Sequence, residues 1–279
     1  MAGTQAAPRL QQVAVTASFL VCVVGSMIGV GVFGGTPVSE AAGGALAADA
    51  TLVAPASPAF SIWTVIYLGL AGYTLFQWLP AHAADDRQRR LRLPVAATML
   101  LNAAWILVVQ AGALWWSVAV IAVLLAVLAR TFLVLVRTPA TGAAERVLVD
   151  GTLGLYLGWV CVATVANVAA ALAAAGFAGG AVTPDWWAVG ILAVVAGIGV
   201  ALAVRGEGRI AVAAALAWGL VWVAVARADG RPPSTPAMVA AVAAAVVVLG
   251  AAVVLRARAA APAAVRSRAV REPRREGDR

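Results

Sequence analysis

Eight apolar runs, each near twenty residues long and almost free of charge, decide what this chain can fold into. They fall at roughly 12–34, 59–79, 94–113, 115–137, 148–175, 186–204, 209–226 and 236–256. In hydrocarbon every backbone N–H and C=O needs an internal partner, and a helix of about 20 residues supplies them all while crossing the bilayer. The expected fold is therefore an all-α integral membrane protein with eight spanning helices. Composition agrees: 63% of residues are hydrophobic and only 11% charged, against about 25% charge in soluble domains. The net charge of +8 comes from arginines without a single lysine. They gather in loops and the C-terminal tail, so the implied partner is the lipid bilayer and not nucleic acid.

The chain lacks the usual signatures of catalysis. Cys22 and Cys161 sit in apolar runs and His82 stands alone, which makes neither a disulfide framework nor a metal spacing. No paired carboxylates and no glycine-rich phosphate loop occur. Binding rather than turnover is the expectation, and no cofactor is required. Pro58 and Pro94 fall at the expected starts of helices, where a missing N–H costs little, and no proline lies deep inside an expected span. Unbroken helices argue against the discontinuous spans of many transporters.

Arginine placement sets an expected orientation. Arg87, Arg89, Arg90 and Arg92 lie in the second loop, Arg137 and Arg146 in the fourth, Arg205 and Arg209 in the sixth, and eight more between Arg256 and Arg279. Loops 35–57 and 175–185 have none. Both termini are thus expected in the cytoplasm of a bacterial cell membrane. Arg227 and Arg231, on the opposite side, break the pattern. The first run, followed by small residues, has signal-peptide features, but its length favours retention as a helix. Gly25 with Gly29, and Gly154 with Gly158, form GxxxG spacings. These serve close packing within the chain or a homodimer.

Polar and aromatic side chains inside the spans carry the functional signal, because they are costly facing lipid. On a helix advancing about 100° per residue, Trp159, Ala163 and Asn167 all fall within about 60° of Tyr156. Trp63 and Tyr67 are i,i+4 neighbours, and Asn102 and Trp105 are i,i+3 neighbours. Large rings beside a small residue and an amide suit a flat apolar ligand with a polar edge. Packing alone is the alternative for these tryptophans, and interfacial belts account for Trp78, Trp115, Trp116, Trp186 and Trp187. Arg130 lies within the fourth run and needs a partner or a path to the interface. Asp150 is the nearest acid in the topology, giving an expected structural ion pair.

These motifs resemble the TspO/MBR family, the tryptophan-rich sensory proteins related to the mitochondrial translocator protein. Tyr156-Leu157-x-Trp159 with Ala163 and Asn167 is similar to the pattern of that family's last helix. Trp63 and Tyr67 preceded by Pro55 and Pro58 are similar to its second helix, and Asn102 with Trp105 to its third. The resemblance covers roughly 12–175. Phe60-Ser61-Ile62 replaces the usual glycine–proline pair, and Val108 and Val109 stand where aromatic residues are usual. The resemblance implies a five-helix bundle with a pocket under loop 35–57, which contains Glu40 and Asp49. It also implies tetrapyrrole ligands such as protoporphyrin in a sensory, regulatory or transport role. A transporter of a small hydrophobic solute and a light-dependent porphyrin-degrading enzyme are the alternatives. The expected organisation is a tail at 1–11, the bundle at 12–175, three further helices in 176–257 and an irregular arginine-rich tail at 258–279.

Overall fold

The structure, a computed structural model, describes residues 3–32, 36–38, 40–177 and 179–271. Among these residues, eight helices are long and apolar enough to cross a membrane. They are α1 (Gly3–Gly29), α2 (Ile62–Phe76), α3 (Asp86–Gln110), α4 (Leu114–Arg137), α5 (Thr152–Ala174), α6 (Pro184–Arg205), α7 (Ile210–Ala228) and α8 (Thr235–Arg271). Among the described residues the regular structure is entirely helical.

Three boundaries differ from the sequence expectation: the starts of α1 and α3 and the end of α8. Helix α3 begins eight residues before Pro94, because the Asp85 carboxylate accepts a hydrogen bond from the Gln88 N–H and caps the first turn. The charged run 86–92 is therefore an interfacial extension of the helix, and Pro94 lies inside it. Pro8 likewise falls inside α1. The tail expected to be irregular continues α8 as far as Arg271, in keeping with the high helix propensity of alanine and arginine. Residues 272–279 lie outside the described residues.

The packing follows small side chains. Helix α1 lies on α3, where a Cβ added to Gly25 would sit 3.0 Å from the Ala103 Cβ, and one on Gly29 would sit 3.0 Å from an Ile106 methyl. Helix α5 lies on α7 still more closely: a Cβ on Gly158 would come within 2.3 Å of the Val212 carbonyl oxygen. Gly154 approaches Ala211 from the same face. Both GxxxG pairs are thus spent inside the chain. The remaining neighbours run α3 on α4, α4 on α5, α7 on α8 and α8 on α6. The three C-terminal helices therefore join the bundle through α7.

At one end of the bundle a buried polar cluster ties α3 to the turn before α5. The Arg87 guanidinium donates to the Thr138 carbonyl, Glu145 Oε1 and Asp150 Oδ1, each at 2.6 Å. Arg209 approaches Asp150 Oδ1 at 3.2 Å and donates to the Leu135 carbonyl. Gln88 and the Thr141 backbone N–H and hydroxyl donate to Glu145. This corrects the expected Arg130–Asp150 pair. Asp150 is buried at the bundle end that Arg87 and Arg209 reach, whereas Arg130 is exposed on α4, within snorkelling distance of its end.

At the opposite end the long α1–α2 loop folds across the bundle. Gln110 donates to the Thr36 carbonyl, and the Val38 N–H to the Gly29 carbonyl. Helix α7 supplies the other fastenings. The Ala56 N–H donates to the Trp222 carbonyl at 3.1 Å, and the Trp218 indole to the Ala59 carbonyl at 2.9 Å. Arg227, 2% exposed, donates to the carbonyls of Ala48 and Pro232. Of the two arginines that break the loop-charge pattern, Arg227 is therefore a buried structural group, whereas Arg231 is exposed.

Candidate functional site

The site is built at the loop end, where α1, α2 and α3 diverge. Because α1 lies close on α3 through Gly25 and Gly29, it stands off from α2. Pro58 opens a 3-10 turn, Ser57–Ser61, which turns the chain under the loop and into α2. One helical turn separates Phe60 from Trp63, and another separates Trp63 from Tyr67, so all three rings face inward from one element.

The resulting cavity has a volume of about 400 Å³. Phe60, Trp63, Thr64 and Tyr67 line it from α2 and its approach; Asn102, Trp105 and Ile106 line it from α3. Ser26, Met27, Gly29 and Val30 close the α1 side, and Pro37 and Val38 the loop side. Its walls are mostly apolar, within the size range of small-molecule sites. Ser57, Thr64 and Val30 are exposed at its rim, which lies between α1 and α2.

An aromatic cluster backs the cavity. Trp63 stacks on Tyr67 with ring centroids 5.3 Å apart, and meets Tyr156 and Trp159 edge-to-face at 5.6 and 6.3 Å. Phe60 meets Trp159 edge-to-face at 5.6 Å. Such contacts contribute about 0.5–1.5 kcal/mol each beyond burial.

The expected site residues divide into two groups. Trp63, Tyr67, Asn102 and Trp105 line the cavity together. Trp159, Ala163 and Asn167 line a second, much smaller compartment of about 30 Å³ under the loop, with Thr51, Ala54 and Pro55. Tyr156 lines neither; its hydroxyl donates to the Thr98 carbonyl at 3.0 Å. The amides expected to meet ligand are engaged with neighbouring helices. Asn102 donates to the Tyr67 hydroxyl at 2.9 Å and to the Cys22 sulfur at 3.6 Å. Asn167 accepts from the Trp105 indole at 2.8 Å and donates to the Ser117 hydroxyl at 2.9 Å. Asn102 thus ties α3 to α1 and α2, and Asn167 ties α5 to α3 and α4; a buried amide left unpaired costs about 1–3 kcal/mol.

Sequence reasoning missed Ser117, whose only trace was a lone hydroxyl near the start of an apolar helix. It also missed the loop residues Val38 and Thr51, and the α7 fastenings. The five tryptophans assigned to interfacial belts are between 42% and 69% exposed, as a belt requires.

Fold and site together define an eight-helix membrane protein with an aromatic-walled cavity roofed by its first loop. The family model described as TSPO-like protein matches residues 11–255. The chain belongs to this family. The match extends past residue 175, where the sequence resemblance stopped, and so takes in the helices that fasten the loop. No curated protein and no solved structure matches the chain.

Proposed function

We propose that this TSPO-like membrane protein binds a flat, largely apolar ligand of the tetrapyrrole class in a sensory, regulatory or transport role. The observation that carries the reading is the cavity of about 400 Å³ walled by Phe60, Trp63, Tyr67 and Trp105. Stacked and edge-on rings give a planar ligand a slot with one preferred orientation. The exposed rim between α1 and α2 gives a hydrophobic molecule a route from the lipid. Asn102 and the Tyr67 hydroxyl form the polar patch that would orient its edge.

The test is a protoporphyrin titration of the purified protein in detergent, followed by the change in porphyrin absorbance. Saturable binding in the wild type, weakened about tenfold or more in Trp63→Ala and unchanged in Trp187→Ala, supports the reading. Trp187 is half-exposed, its indole hydrogen-bonded to the Gly179 carbonyl, and touches neither compartment. Linear uptake identical in all three proteins is micelle partition and refutes it.

A further inference from the structure

The two compartments are neighbours separated by a thin wall. Val38, Phe60 and Trp105 line both. Two of the three are held in place. Trp105 is fixed by its indole hydrogen bond to Asn167, and Val38 sits on a loop turn whose N–H is bonded to Gly29. Phe60 has no polar tether. It stands on the 3-10 turn and leans edge-on against Trp159, so of the three it is the one that side-chain rotation alone can move out of the shared wall.

Two residues that line the smaller compartment have polar groups in need of partners. Trp159 is 1% exposed, and its indole N–H is buried without a hydrogen-bond partner; the Thr51 hydroxyl is likewise buried and unpartnered. About 30 Å³ is too small for a ring and suits one or two water-sized groups. A buried donor without an acceptor is costly, and an oxygen on a short arm would relieve it.

We infer that Phe60 is the partition that sets the size of ring system this site admits, and that the compartment behind it receives a hydrogen-bond-accepting arm of the ligand at the Trp159 indole N–H. A small bicyclic molecule fits the larger compartment with Phe60 at rest. A macrocycle with carboxylate arms needs Phe60 swung aside. Its apparent affinity is lowered by the fraction of time the partition is closed. The inference rests on the proposed binding role, and its test separates the two.

Protoporphyrin and 2-naphthoate are titrated into the wild type, Phe60→Ala and Phe60→Trp, by porphyrin absorbance and by calorimetry respectively. Phe60→Ala is expected to tighten protoporphyrin binding about tenfold, the cost of displacing one packed ring, and to weaken 2-naphthoate, which loses one wall of its slot, so the two probes respond in opposite directions. Phe60→Trp keeps an aromatic wall, guards against simple loss of folding, and is expected to weaken protoporphyrin. Trp159→Phe in the Phe60→Ala background keeps a ring but deletes the N–H, and is expected to weaken protoporphyrin about tenfold. Protoporphyrin affinity unchanged in both Phe60 variants, with saturable binding in the wild type, overturns the partition and leaves the binding role standing. No effect of Trp159→Phe overturns the arm. Binding of protoporphyrin by Phe60→Ala alone supports the partition and moves the natural ligand to a smaller ring system. No saturable binding of either probe by any variant overturns both readings.

Discussion

Replacing Arg87 by methionine tests the largest electrostatic feature of the fold. The substitution keeps an unbranched chain in place and deletes three donated hydrogen bonds, to Thr138, Glu145 and Asp150, each 2.6 Å long. The guanidinium is 7% exposed and its carboxylate partners 3% and 7%, so solvent cannot replace it cheaply. Removing one member of a buried ion pair costs about 3–5 kcal/mol, because the abandoned charge stays buried. Here both carboxylates keep other donors: Glu145 has Gln88 and Thr141, and Asp150 has Arg209 at 3.2 Å. The loss should therefore fall at the low end, about 3 kcal/mol. Reversible unfolding in mixed detergent, followed by tryptophan fluorescence, measures it. Combining Arg87→Met with Asp150→Asn should show a coupling of about 1–3 kcal/mol, as expected for residues in one network. Arg130→Gln, on the exposed face of α4, should change stability by less than about 0.5 kcal/mol. A loss for Arg87→Met no larger than that for Arg130→Gln would refute the assignment of this cluster as the clamp between α3 and the turn before α5.

Gly158→Ala should cost about 1–3 kcal/mol, because its methyl would overlap the Val212 carbonyl and α5 must move from α7. Gly197→Ala, with nothing near its Cβ, should be neutral or stabilising by up to about 1 kcal/mol, and the same unfolding assay compares them. Arg227→Ala should release the loop, speeding amide hydrogen exchange in 46–54 about tenfold or more; unchanged exchange there would remove α7 from its role as fastening. Asn167→Leu should cost about 1–2 kcal/mol with no ligand present, since the Trp105 indole and Ser117 lose their partner. A variant as stable as wild type would return Asn167 to a purely ligand-facing role.

The eight spans were legible because length and apolarity in a membrane helix are nearly the whole physical requirement. The rings of α2 and α3 were legible for a related reason: they recur at helical spacing beside polar groups that cannot face lipid. Other features left weaker traces. Arg87 reads in the sequence as one of several arginines in a loop, and nothing local says that Asp150 lies beside it. The start of α3 was hidden because a charged interfacial turn looks like a loop until Asp85 is recognised as its cap. The stripe on α5 was read on the correct face, but periodicity cannot distinguish an amide that meets a ligand from one that meets Ser117. The fastenings of the loop left one trace, Arg227 out of place in the charge pattern. The α7 side chains find their loop acceptors in the backbone carbonyls of Ala48 and Ala59, a group that every residue possesses.

Those fastenings set an order of events when the protein is made. Arg227 reaches back 179 positions to Ala48, and the Trp218 indole 159 positions to Ala59. Synthesis runs from the N-terminus, so the aromatic walls on α2, α3 and α5 are all in hand while the segment that secures their cover has yet to leave the ribosome. The cavity is complete in its sides well before it is complete at its top. A chain interrupted after α5 would hold every tryptophan of the site and still lack the fastenings that α7 supplies.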